Sequence, residues 1–127
     1  MEINEFHNIF DFKFCTLTNS IFIFTSNDVR IYNYHTGALK KVFAKLHESS
    51  YETNITAAEF GYKGRKFFIG DAGGFVREYC SETGDFLQDI NPGDDFNYEN
   101  KQIVKLIFLK EHSLLICCSM DGRIMIY

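Results

Sequence analysis

One phrase recurs three times in the chain, and its spacing is the strongest constraint on the fold. "TSNDVRIYNYHTGAL" from Thr25, "GDAGGFVREYCSETGDF" from Gly70 and "CSMDGRIMIY" from Cys118 share one order: a polar turn, an apolar run, then tyrosine. Superposed on Tyr32, Tyr79 and Tyr127, the three phrases lie 47 and 48 residues apart. "ITAAEF" at Ile55 to Phe60 returns 48 residues later as "IVKLIF" at Ile103 to Phe108, and Tyr-x-x-x-Thr-Gly occurs at Tyr32 to Gly37 and again at Tyr79 to Gly84. A fixed period of this length marks a repeated supersecondary unit, which buries its apolar faces against its neighbours rather than within itself.

Inside a unit, apolar runs of five or six residues alternate with turn residues, a texture of strands rather than helices. The middle unit is expected to hold strands near Ile55–Phe60, Lys66–Gly70, Phe75–Tyr79 and Asp85–Ile90, joined by "GYKGR", "DAGG" and "CSETG". Glycine supplies the positive φ that such tight turns need. Fourteen Phe and seven Tyr without a Trp suit pleated surfaces. The predicted fold class is therefore all-β, with four-stranded antiparallel meanders as the unit.

These residues resemble the WD-repeat β-propeller family. His47 fits the family's His-containing lead-in, "GYKGR" its first turn and Asp121-Gly122 its Asp-Gly turn; Tyr32, Tyr79 and Tyr127 take the place of its Trp. The likeness runs over about residues 10–127. The resemblance implies about three consecutive four-stranded antiparallel blades of an incomplete β-propeller, in a single partial propeller spanning 1–127 with units at about 10–43, 55–90 and 103–127. The last unit lacks its outer strand. Known propellers close with typically four to eight blades, so the missing blades are expected from more of the same chain or from another chain. An independent small β-sandwich is the competing fold.

The departures from the family are as informative. Its hydrogen-bonded tetrad joins a His, a strand Ser or Thr, the turn Asp and the Trp, yet Phe24, Ile69 and Cys117 stand at the Ser/Thr position. That network cannot form intact, and blades held mainly by packing are expected, because replacing several partners together by apolar groups can be nearly neutral. In the middle unit Gly73-Gly74 replaces the turn Asp, and in the first unit the turn is about two residues shorter. Glu78 occupies the position of Ile31 and Ile126, which should face a neighbouring blade; a buried carboxylate there requires a Lys or Arg partner, or water at an open edge.

Charge and motif content narrow the function. A net charge of -4 with no basic stripe argues against nucleic acid, and no segment reaches transmembrane length. "MEINEFHNIF" has no signal-peptide features, so a cytoplasmic address is expected, with Asn54-Ile55-Thr56 an idle glycosylation match. Cys15, Cys80, Cys117 and Cys118 show no metal-ligand spacing and read as reduced thiols. "DFNYE" at Asp95 to Glu99 echoes a calcium loop, but Asn100 stands where glycine is needed and Leu106 where Glu is needed. His7, His35, His47 and His112 lie apart, and no nucleophile elbow or phosphate-binding glycine loop is present. No catalytic residue, cofactor or metal is assigned, and the chain is not expected to be an enzyme.

Two long connections remain as the candidate partner-binding face, "HESSYETN" and "NPGDDFNYENK". Both lead into the innermost strand of a unit and should emerge beside the Asp-Gly type turns. Tyr51, Glu52, Asp94, Asp95, Phe96 and Tyr98 combine aromatic anchors with acids suited to a basic partner. The competing reading is a solvated connection whose aromatics fold back on the blade. The expected function is a non-catalytic protein-protein interaction scaffold, part of a larger propeller in a multi-protein complex. Within the family, "GRKFFIGDAGGFVREY" resembles the divergent blades of cilium- and flagellum-associated WD-repeat proteins, which implies a cytoskeletal, axonemal setting. The alternatives are a segment of a propeller enzyme with its active site elsewhere, or a peptide-reading module.

Overall fold

A computed structural model describes residues 2, 8–44, 46, 54–90 and 101–127. The described residues form eleven strands: β1 (Ile9–Cys15), β2 (Ser20–Thr25), β3 (Asp28–Asn33), β4 (Leu39–Ala44), β5 (Ile55–Phe60), β6 (Lys66–Asp71), β7 (Val76–Cys80), β8 (Phe86–Asp89), β9 (Ile103–Leu109), β10 (Leu114–Ser119) and β11 (Ile124–Ile126). They form three antiparallel meanders in sequence order: β1-β2-β3-β4, β5-β6-β7-β8 and β9-β10-β11. The architecture is all-β, three consecutive blades of an incomplete β-propeller. A single 3-10 turn, Tyr62–Gly64, is the helical content of the described residues, where no helix is long and apolar enough to cross a membrane.

The repeat seen in the sequence is reproduced in the hydrogen-bond register. Each inner strand carries one extra residue at the same place: Phe10 lies between the pairs Ile9↔Thr25 and Asp11↔Phe24, Thr56 between Ile55↔Asp71 and Ala57↔Gly70, and Val104 between Ile103↔Ser119 and Lys105↔Cys118. Such a bulge bends the strand and increases its twist. The turn after the third strand also recurs, with Gly37 N–H donating to Asn33 O and Gly84 N–H to Cys80 O, both at 2.8 Å. Their φ values of 72° and 78° explain the Thr-Gly signature, since side chains are strained there. The β2–β3 connection is the two residues Ser26 and Asn27, against four between β6 and β7 and four between β10 and β11. That is the shortening expected from the sequence.

Packing between the sheets makes two cores. The face of the first sheet bearing Phe22, Phe24, Val29, Ile31 and Phe43 meets the second sheet at Ala58, Phe67, Ile69 and Tyr79. Phe67 sits at its centre, 6.1 Å from the Phe43 ring and 5.4 Å from that of Tyr79, both stacked. The opposite face of the second sheet, with Ala57, Phe68 and Val76, meets Ile103, Leu106, Leu115 and Cys117 of the third. Gly70 is needed at this second junction, because a Cβ there would lie 2.5 Å from Ile103 Cγ2. Phe24, Ile69 and Cys117, aligned from the sequence with the family's Ser/Thr position, are all buried in these cores, but the register corrects the alignment of the first unit: Ile23 is the equivalent of Ile69 and Cys117, and Phe24 that of Gly70 and Cys118. Apolar packing occupies the space of the polar tetrad.

Candidate functional site

All six residues chosen from the sequence as the partner-binding face, Tyr51, Glu52, Asp94, Asp95, Phe96 and Tyr98, lie outside the described residues. The stems that follow them are described and share one end of the sheets. Ile55 N–H donates to Ser26 O and Ala72 N–H to Asn54 O, at 2.8 and 2.9 Å; Met120 N–H donates to Gln102 O at 2.8 Å. Each stem is thus bonded to a turn joining the second and third strands of a sheet.

Those turns carry polar anchors that the sequence reading missed. Thr25, Asp71 and Ser119 are structurally equivalent, each opposite the residue before the bulge, and each is buried. Thr25 Oγ1 donates to Asp28 Oδ1 at 2.7 Å and accepts from Asp28 N–H at 3.1 Å. Asp71 Oδ1 accepts from the N–H groups of Gly73 and Phe75, at 2.9 and 3.0 Å. The Ser119 hydroxyl donates to Asp121, holding that carboxyl below its ordinary pKa, and the Arg123 guanidinium adds to the effect. An arginine closes each knot: Arg30 on Asp28, Arg77 on Asp71 and Arg123 on Asp121. In the middle unit the turn holds Gly73-Gly74 in place of the acid, as the sequence indicates, and the carboxylate comes instead from Asp71 at the strand end. The pattern T-x-x-D-x-R, D-x5-R and S-x-D-x-R was the available signal.

Glu78 is buried, and its partners lie in its own sheet: Lys66 Nζ is 3.4 Å from Oε1, and Gln88 Nε2 donates to Oε2 at 2.6 Å. Register explains both, since Glu78 lies opposite Phe68 on β6 and opposite Gln88 on β8. Of the readings the sequence left open, a Lys or Arg partner or water at an open edge, the first is found, with the Lys supplied from within the blade. Cys117 and Cys118 project from opposite sides of β10, one buried and one half-buried. Burial pushes the Cys117 thiol up to about 12, which suits packing rather than redox chemistry. Cys80 differs: hydrogen bonds from Thr83 lower its pKa. Among the described residues no group of three or more His, Cys, Asp or Glu can hold a metal ion.

Among the described residues, two apolar sheet faces are exposed. The first sheet turns Phe12 and Phe14 outward, 57% and 60% exposed. Phe14 pairs with Ile21 as Phe60 pairs with Phe67 and as Phe108 pairs with Leu115. It is therefore the same position as two residues that pack against a preceding sheet. At the other end, Ile124 and Ile126 of β11 are 69% and 62% exposed and Ile107 of β9 is also exposed. Ile107 lies opposite Ile116, which pairs with Ile126 on the same face. A groove also opens between the first two sheets, with a volume of about 710 Å³, lined in part by Leu46, Phe75, Arg77, Tyr79, Phe86 and Asp89.

No family model and no curated protein matches the sequence. Among solved structures, a chain in the "Crystal Structure of Mitotic Checkpoint Complex" superposes with a TM-score of 0.70 at 16% identity, over 100% of this chain and 34% of that one. The present chain thus spans about a third of the chain it matches. At this identity the likeness shows the fold, an antiparallel β-propeller arrangement. In all, 438 solved chains match, and an architecture so widely shared does not select a function.

Proposed function

We propose that the chain is a run of WD-type blades serving as a non-catalytic protein-interaction scaffold within a multi-protein assembly. The observation that carries this reading is the pair of uncovered apolar sheet faces, Phe12 with Phe14 and Ile107 with Ile124 and Ile126. Each repeats, in register, a face that packs on a neighbouring sheet elsewhere in the chain. An exposed apolar area of this kind marks an interaction surface, and its β-sheet form fits a further blade, from this chain or another. The similar chain was solved in a complex, the Mitotic Checkpoint Complex, which supports a protein-binding role for the fold.

A cytoplasmic, axonemal setting is the narrower part of the proposal, supported by the wording of Gly64–Tyr79. Crosslinking mass spectrometry of the native protein, with a lysine-reactive reagent, tests the scaffold reading. Lys105, two residues from Ile107 and on the same face of β9, should link to a strand-rich segment stacked on that face. A native protein that is monomeric with Phe12, Phe14 and Ile126 open to solvent refutes it, and absence from isolated cilia refutes the axonemal part.

A further inference from the structure

Both junctions between the sheets are made with the same contact. A side chain on the second strand of one sheet rests on the inner-strand Phe of the next: Phe22 lies 4.9 Å from Phe60, and Phe68 lies 5.8 Å from Phe108, ring centre to ring centre. The register makes these equivalent positions. Phe14, Phe60 and Phe108 pair with Ile21, Phe67 and Leu115, and the next residues along those second strands are Phe22, Phe68 and Ile116. The three sheets thus carry three second-strand knobs, Phe22, Phe68 and Ile116, and three Phe seats, Phe14, Phe60 and Phe108. Two knobs and two seats are matched inside the chain. Ile116 is left over on the last sheet and Phe14 on the first, where it is 60% exposed while Phe60 and Phe108 are half-buried.

The surroundings of the spare knob repeat a face already used. Ile124 and Ile126 stand in register where the first sheet has Val29 and Ile31, which are 0% and 4% exposed because they pack on the second sheet. The third sheet therefore offers, on its outer face, the kind of aliphatic surface that the first sheet presents to a sheet with Phe at the seat position. A spare knob at one end and a spare seat at the other make the chain complementary to itself, head to tail. From this we infer that the third sheet of one copy packs on the first sheet of a second copy, Ile116 of one on Phe14 of the other, and that the same contact made in return closes a ring of two copies. Six blades result, three from each chain, within the four to eight with which propellers close. Head-to-tail contacts between identical chains form a ring where the rotation closes and a filament where it does not. The inference rests on the scaffold reading of the two exposed faces and deepens it by naming the partner, a second copy of this chain.

Photocrosslinking of the purified protein tests it, with benzoylphenylalanine in place of Phe14 and an equal mixture of isotope-labelled and unlabelled chains. Irradiation should join labelled to unlabelled chains, through peptides of β9 to β11 that contain Ile107, Ile116 or Ile126. The unsubstituted protein should sediment as two chains. Phe14→Asp and Ile126→Asp, one on each face, should each weaken that association by at least about tenfold, as for residues central to an interface, with the strand signal in circular dichroism retained. Tyr62→Asp, exposed in the turn before β6 and on neither face, should leave the association unchanged. A monomer, a polymer that lengthens with concentration, crosslinks confined to single chains or joining β1 to β1, or association undiminished in both Asp variants overturns the two-copy ring. The lysine crosslinks of the native protein judge the scaffold reading separately, because a strand-rich segment of any other sequence on the Ile107 face upholds that reading and refutes the second copy.

Discussion

Phe67→Ala should remove a large share of the stability of the fold. The ring is 0% exposed and lies within 6.3 Å, centroid to centroid, of Phe22, Phe24, Phe43 and Tyr79. It joins the first sheet to the second, and truncation empties a site whose walls are rings on rigid strands. Phe→Ala in such a site costs about 3–5 kcal/mol; four ring neighbours with little room to collapse point to about 4 kcal/mol. A chain of 127 residues has a total stability on the order of 6–19 kcal/mol, so the variant loses between a fifth and two-thirds of it. With a urea m-value on the order of 1.5 kcal/mol/M, the unfolding midpoint should fall by about 2–3 M. Tyr62→Ala is the matched control, being 57% exposed in the turn before β6 rather than on an uncovered sheet face, and it should cost less than about 0.5 kcal/mol. Equal losses at the two positions, or a loss below about 1 kcal/mol at Phe67, would refute the assignment of the core.

Gly84→Ala should destabilise by about 1–3 kcal/mol, seen in the same denaturation assay, because φ is +78° and the new Cβ would meet the Phe43 ring at 2.5 Å. Cys80 should be the first thiol alkylated by iodoacetamide near neutral pH and Cys117 the last, a ranking read by peptide mass spectrometry; Thr83 favours the Cys80 thiolate whereas burial opposes that of Cys117. Burial holds the Tyr79 phenol at about 12 despite the pull of Arg77. Its folded pKa exceeds the ordinary value of 10.0, so the stability from its neutral form is complete below pH 10 and is lost as pH rises towards 12. Tyr79→Phe should flatten that part of the alkaline unfolding curve. Glu78→Gln should cost little, on the order of 1 kcal/mol, because Lys66 is half exposed and the pair is screened by solvent; a loss above about 3 kcal/mol would mean that the ion pair anchors the sheet.

The fold was legible because its signals are local and repeated. A period of 47 and 48 residues, five-residue apolar runs and Thr-Gly turns each specify a strand or its end without reference to anything distant, and all four strands of the middle unit fell within about one residue of their expected ends. The polar anchors were missed for a physical reason. The family template looks for the acid inside the turn, at Gly73 and Gly74, whereas turn N–H groups can be satisfied equally from the strand end, where Asp71 reaches Gly73 and Phe75. The groove was not legible at all, since Leu46 and Phe86 become neighbours only when the first sheet packs on the second. Alternation along one strand tells which side chains share a face, but not which other strand that face will meet.

The way the sheets stack also has a direction. In the second sheet Phe67, Ile69 and Tyr79 look back to the first, while Ala57, Phe68 and Val76 look forward to the third. The two faces differ in kind: the backward face offers the aromatics Phe67 on β6 and Tyr79 on β7, and the forward face of the same sheet narrows to Gly70 where Ile103 approaches. The uncovered surfaces inherit this polarity, so that Phe12 and Phe14 form a backward-looking face and Ile107, Ile124 and Ile126 a forward-looking one. Pairing of two like faces about a two-fold axis would set aromatic against aromatic, with none of the complementarity seen inside the chain. A sheet that covers either face must therefore arrive in the same order as the internal ones, forward face against backward face, and a crosslink joining two copies through Phe14 to Phe14 would contradict the directional packing on which the scaffold reading depends.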